Sequence, residues 1–517
     1  MRALRLRPAL PLALPVALVL ALAGCPHHGG GAGGGGGTGP MPAAVSTLPV
    51  LRWVPADVTY AVVVRSATDF AHLATEASNV VGIAGDFDAA DVSAESRRQL
   101  LFDLLSADSL RNIGVDVDAS VAIWGAPWSP TFAARLGDAA ALERFVDQVR
   151  DNGASLQSQI EDGIEVFTAH LDRDLAMQWA VADGWILAHV VIQGDHEPEM
   201  GWLAAARAAH GGLAGDPDFL AALDAARAHA GALADASGLP PMVGLVRPAA
   251  LATSVEALMA PEVQAEAGRC LAPVHAMPRV LLSGGVVGTA AGGAIVADLD
   301  AAGGVAAAIL PAPAGWYGAR AGAAAQVDVG FDVAAAIQLA GGCGVDLRAA
   351  MAPGVRTIHV FTKEFDDGLP TVAGAYADLA TDRTLRAMLD QIPGLDRFSK
   401  KRTLADTPVV DVDVPFVGSF TYHLSATRAI GAVGTGVIEA ILGGGAAVDG
   451  ELVHVALRPA DVPVEAWDLV LGSLLDVARP AARHRTIDRL NRWQQGTIDA
   501  RLVGSQVVID LAGALRR

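Results

Sequence analysis

Apolar positions along the chain follow two periods. Runs rich in β-branched and aromatic residues recur at Tyr60–Val64, Val121–Trp124, Thr131–Leu136, 163–168, 177–182 and 185–192. Each of these reads as a β-strand. Between them the spacing becomes helical, over 68–80, 94–106, 139–150, 199–209 and 216–236. In 139–150, Leu142, Phe145, Val146 and Val149 share one face. Asp183-Gly184 separates two strand runs, and this pair suits a two-residue hairpin whose central residues both need positive φ. A second turn is expected at Pro127–Pro130. Strands that neighbour one another in sequence, with helices interposed in clusters, predict an α+β fold with antiparallel sheets.

The pattern recurs. Pro130–Ala133 returns as Pro370–Ala373, and Phe145–Val149 as Met388–Ile392, at offsets of 240 and 243. Arg247–Ala249 returns as Arg458–Ala460, and Val296–Leu299 as Val508–Leu511, at offsets of 211 and 212. The order is kept, which predicts an ancient duplication. The drop between the middle offsets falls at an Ala-rich helical stretch present only in the first half. The expected division is a leader over 1–24 and a linker over 25–50. A first α+β copy follows over 51–303, with a helical insertion at 213–237, and a second copy over 304–517.

Ahead of the first strand, Arg2, Arg5 and Arg7 precede an apolar run from Ala9 to Leu22, then Leu22-Ala23-Gly24-Cys25. A charged start, a short apolar stretch and small residues form a secretory signal. The run is shorter than the ~20 residues of a membrane span, and Pro8, Pro11 and Pro15 disfavour a regular helix. Ending in cysteine, the stretch resembles the lipobox of bacterial lipoproteins. That resemblance implies cleavage before Cys25, acylation of its thiol and new amino group, and attachment to a membrane. Pro26 stands where Asp in this family often means retention in the inner membrane, so the outer membrane is expected. Gly29 to Gly39, interrupted only by Ala32 and Thr38, forms a flexible tether reaching roughly 25–30 Å. The Val54-Pro55-Ala56-Asp57 opening and the Asp183-Gly184 hairpin also look like a domain of unknown function in bacterial secreted and membrane-anchored proteins. That likeness implies no catalytic residue.

Composition narrows the partners. The 517 residues carry a net charge of −19, and loss of the three leader arginines makes the body more acidic still. Such a surface repels phosphate backbones, which excludes nucleic acid. Of three cysteines, Cys270 and Cys343 remain after Cys25 is assigned to lipid. Pairing them would close a loop of about 70 residues, worth ~4 kcal/mol in the chain-entropy picture. The alternative is two buried free thiols.

Catalytic signatures are sparse. There is no Gly-x-Ser-x-Gly elbow, no His-Glu-x-x-His pair and no Gly-Lys phosphate loop. His189, His196, Glu197 and Glu199 combine ligand types that suit zinc. Asp86, Asp88 and Asp91 offer oxygens but not the spacing of a calcium loop, and a capped helix start accounts for them better. Arg485, Arg489 and Arg492 share a helical face and form a local positive patch, open either to an anionic partner or to the protein's own carboxylates.

The expected function is a lipid-anchored cell-envelope protein that binds or assembles without catalysis and without a cofactor. Its partner would be an envelope protein or a hydrophobic ligand. Two rivals stand beside this reading. One is a metal-assisted hydrolase using His189, His196 and Glu197. The other is a periplasmic carrier with a deep apolar cavity.

Overall fold

Tyr60–Val64 is buried at every position, as a strand covered on both faces must be. In the computed structural model it is an interior strand of the first of two units, Met1–Asp298 and Leu299–Arg517. The structure describes residues 44–516, apart from 86–87, 127–128, 153–155, 173–174, 193–200, 210, 257–263, 265–267, 269–270, 273, 299–308, 333–353, 392–393, 415–417, 444–451 and 474–479. Both units mix helices with extended antiparallel sheet, an α+β architecture.

In the first unit β1 (Tyr60–Val64) pairs with β2 (Val121–Ala126) on one side and β8 (Met242–Val246) on the other. From β2 the sheet continues through β3 (Ser129–Arg135), β7 (Trp185–Ile192), β6 (Leu175–Ala182), β5 (Ile164–Asp172) and β4 (Leu156–Glu161). From β8 it runs to β9 (Val280–Val287) and β10 (Ala290–Asp298). The order is β4-β5-β6-β7-β3-β2-β1-β8-β9-β10, all antiparallel. Asp183-Gly184 makes the expected hairpin, with φ of 49° and 75°. Asp162-Gly163 does the same between β4 and β5, a strand the sequence pattern did not separate.

Three helices join β1 to β2: α1 (Ala67–Gly85), α2 (Ala89–Leu100) and α3 (Ala107–Asn112). They bury Val62 and Val64 with Leu110, Val115 and Val117. The 94–106 periodicity is broken because Leu101, at φ 65°, ends α2, and Ser106 caps a new helix. Asp88 and Asp91 form a reciprocal capping box, each accepting the other's backbone N–H at 2.9 Å. Further along lie α4 (Ala139–Asp151), α5 (Trp202–Ala208), α6 (Pro217–His229) and α7 (Pro248–Glu256). α6 packs on β8 and β9 through Phe219, Ala222, Leu223 and Ala226. Phe219 and Leu223 together contribute roughly 3–6 kcal/mol by burial.

In the second unit β11 (Ala325–Val329) lies between β12 (Ile358–Asp366) and β18 (Val453–Leu457). β12 leads through β13 (Leu369–Asp378), β17 (Arg428–Val433), β16 (Gly418–Leu424) and β15 (Thr407–Val414) to β14 (Ser399–Leu404). β18 leads to β19 (Trp493–Val503) and β20 (Gln506–Leu515). The order is β14-β15-β16-β17-β13-β12-β11-β18-β19-β20. Among the described residues the helices are α8 (Ala314–Arg320), α9 (Arg383–Asp390), α10 (Val437–Leu442), α11 (Val464–Ser473) and α12 (Pro480–Leu490). Trp316 of α8 is fully buried and centres a core with Phe361, Tyr376, Ile430, Ile438 and Ile441. β11 alternates, but with the usual sense reversed. Gln326 and Asp328 are buried, while Val327 between them is 43% exposed.

Candidate functional site

That reversal places a carboxylate inside the second unit. Asp328 Oδ1 accepts from Trp316 Nε1 at 2.7 Å and faces His359 Nδ1 at 3.0 Å. Its Oδ2 accepts from Arg320 and from Gln326. α8 supplies Trp316 and Arg320 one turn apart, and β12 places His359 directly across from Asp328. Burial by itself pushes the Asp328 carboxyl up. Hydrogen bonds from His359 and Gln326, with the Arg320 charge, outweigh it and hold the group below the usual carboxylate range. His359 is almost wholly buried, and its Nε2 has no hydrogen-bond partner among the described residues. Trp316 and Tyr376 flank the imidazole at 5.8 and 5.5 Å between ring centres. Tyr376 donates to Asp378 at 2.9 Å; burial first, then the Asp378 charge, pushes its hydroxyl up to about 12.

The register extends this cluster into a row. His454 lies opposite Asp328, Asp499 opposite His454, and Asp510 opposite Asp499. Directly opposite residues share a face of the sheet. His454 Nδ1 bonds Asp499, and Arg501 pairs with Asp510. Imidazole and acid thus alternate from His359 through Asp328 and His454 to Asp499, and the row ends in a second acid, Asp510. The arrangement holds charge in the core and orients side chains.

The first unit has a different polar row. Thr131, His189, Gln178 and Thr168 are cross-strand neighbours on β3, β7, β6 and β5, and all four are buried. His189 Nε2 lies 3.0 Å from Ser129 Oγ and Nδ1 lies 3.0 Å from Thr131 Oγ1. Trp202 stacks on the ring at 5.3 Å and 10°. With both nitrogens facing hydroxyls, the imidazole is a neutral structural group. Burial lowers it to about 4. The unfolded chain therefore binds a proton that the folded one refuses. Stability from this site is complete above ~6.5 and is lost as pH falls toward 4, by about 3 kcal/mol. Denaturant titrations at pH 7.5 and 4.5 should show that loss, and His189→Gln should remove most of the difference.

The sequence-derived candidates distribute unevenly. Cys25, Cys270, Cys343, His196, Glu197 and Glu199 lie outside the described residues. Among the described residues no three His, Cys, Asp or Glu side chains are grouped to hold a metal ion. Arg485 and Arg489 lie on α12 and Arg492 just beyond it; each takes part in interactions within the chain, and their neighbour Arg483 bonds Asp468 at 3.2 Å. Asp328, His359 and Trp316 were not singled out by any motif.

The face of the second sheet opposite Asp328 is apolar. Val360, Val327, Val455, Ile498 and Leu511 form one cross-strand row from β12 to β20. Val360 and Val327 are each 43% exposed and Ile498 41%. Ile358, on the same face, is also exposed.

No protein-family model matches the chain, and no curated protein matches it. Among solved structures it is similar to crystal forms of TP0453. Form III is 8% identical with a TM-score of 0.26, covering 48% of this chain and 79% of that one. Form I gives 8% and 0.26 over 48% and 77%. Form IV gives 8% and 0.27 over 50% and 83%. Likeness of this size carries no argument about fold or function.

Proposed function

We propose that the chain is a bacterial lipoprotein, held to the cell envelope through Cys25, whose duplicated body binds an apolar partner and performs no catalysis. The anchor rests on the Leu22–Cys25 stretch and the leader before it. Incorporation of labelled palmitate, and processing that globomycin blocks, would test it.

Several details support duplication. The two strand orders match position for position. Arg247, just after β8, donates to Val58 O at 2.7 Å, immediately before β1; Arg458, just after β18, donates to Ala323 O at 3.1 Å, immediately before β11. Gly137 donates to Gly114 O at 2.8 Å, as Ala380 does to Gly354 O at 2.7 Å. Gly114 and Gly354 both have positive φ, and a Cβ on either would strike a carbonyl oxygen, of Asp138 or Thr381. The hairpin spanning Ala122–Ala133 corresponds to a longer one spanning His359–Tyr376; Ala133 and Tyr376 are 243 apart, which agrees with the Phe145/Met388 offset and leaves the Pro130/Pro370 match three residues out of register. The Val296/Val508 match is four residues out of register, because the hairpin turns Gly288-Thr289 and Gly504-Ser505 are 216 apart. The insertion read at 213–237 corresponds to α6 and its flanking turns.

The observation that carries the binding role is the Val360–Val327–Ile498 row. Its counterparts in the first unit, Ile123, Val62 and Leu282, are buried. A contiguous exposed apolar face marks an interaction site. The native protein should therefore bind bis-anilinonaphthalene sulfonate in saturable fashion. Val327→Asp combined with Val360→Asp should abolish most of that binding while leaving the far-UV spectrum unchanged. Unaltered dye binding in the double variant would refute the assignment of this face.

A further inference from the structure

β4 and β14 end their sheets; among the described residues each is hydrogen-bonded along one side only, to β5 and β15. An unpaired edge is a template for another strand, and proteins ordinarily guard it with charge, proline or bulges. β14 carries Lys400, Lys401 and Arg402. β4 has no proline and a single charge, Glu161 at its last position, and its register with β5 is regular throughout. Ile160 at its far end is 79% exposed, more than any other large apolar side chain described.

The β4 sequence is also self-complementary. Around Ser158, Gln157 mirrors Gln159 and Leu156 mirrors Ile160. We propose that β4 pairs antiparallel with β4 of a second copy of this chain, with Ser158 on the twofold axis. In an isologous contact residue i meets j and j meets i, so each residue must suit its mirror position, and this palindrome meets that condition. In this register Leu156 of one protomer lies beside Ile160 of its partner on one face, covering the exposed isoleucine. Gln157 of one protomer lies opposite Gln159 of its partner on the other face, polar against polar. The two Glu161 carboxylates fall at opposite ends, so like charges do not meet. A register shifted by one residue sets Gln157 against Ile160 and Leu156 against Glu161, apolar against polar. The guarded β14 edge accounts for why the pairing is confined to the first unit.

Sedimentation of the unlipidated Cys25→Ala chain tests this without depending on the anchor. A monomer–dimer equilibrium is expected in the micromolar range. Ser158→Lys sets two cations across the axis and should raise the dimer Kd by at least about tenfold, with an unchanged melting temperature. Directly opposite Cα atoms in an antiparallel pair lie about 4.5–5.5 Å apart, a separation a disulfide spans. Ser158→Cys should therefore cross-link into dimers on oxidation, well beyond the parent chain. Gln157→Cys, whose mate is Gln159, should not. A chain that stays monomeric across that range, a dimer indifferent to Ser158→Lys, or equal cross-linking at both positions would overturn the proposal. So would a Ser158→Cys cross-link formed in cells only to a different polypeptide.

Discussion

Replacing Asp328 with alanine is expected to destabilise the second unit by about 3–5 kcal/mol, the usual effect of removing one member of a buried charge pair. The loss is large because four donors converge on two oxygens. Without them the Arg320 guanidinium, Trp316 Nε1, Gln326 Nε2 and His359 Nδ1 are left in a dry core. Against a total of ~5–15 kcal/mol for a domain, the unit would stand near its unfolding threshold. Urea denaturation followed by tryptophan fluorescence would report it, with the first unit's transition as an internal reference. Asp328→Asn, which keeps the shape and one acceptor, should fall between. The folded carboxyl is held below its ordinary range, so its stabilising contribution is complete at neutral pH and disappears as pH falls below ~4. The acid-induced loss should accordingly be smaller in Asp328→Asn. A shift under about 1 kcal/mol in the alanine variant would show that the cluster does not hold the unit together.

Cys25→Ala is expected to move the protein from the membrane to the soluble fraction almost completely. Each buried CH₂ of an acyl chain contributes ~0.8 kcal/mol, and two or more chains anchor durably where one does not. Among the described residues no helix is long and apolar enough to cross a membrane. Fractionation after a high-salt wash, with palmitate labelling alongside, measures both arms. A Cys25→Ala protein that remained with the membrane would refute the acyl anchor.

Much of the first unit was legible because its strands are apolar on both sides and its turns carry Asp-Gly. β4 was missed for the opposite reason: Leu156-Gln157-Ser158-Gln159-Ile160-Glu161 is largely polar, as an edge strand facing solvent is. The division at Leu101 was hidden because Leu adopts a left-handed conformation there that composition does not announce. The Asp328 cluster could not be read from sequence. Its members lie at 316, 320, 326, 328 and 359, and only the β11–β12 register brings the last of them to the others. Moreover, the Ala325–Val329 alternation suggests polar residues outward, whereas a tryptophan and an arginine on α8 pull them inward. His189 stands out in the sequence by its type, but its two hydroxyl partners come from β3, some sixty residues earlier.

β1 is completed by β2 about sixty residues later and by β8 about one hundred and eighty residues later. Contacts of that separation close slowly, since the entropy of the intervening loop must be lost before pairing stabilises anything. During synthesis, Tyr60–Val64 therefore waits as a bare apolar segment well after it has emerged. Shielding of this nascent stretch by a holding chaperone, more than any weakness in the finished sheet, should govern how much protein reaches its native state.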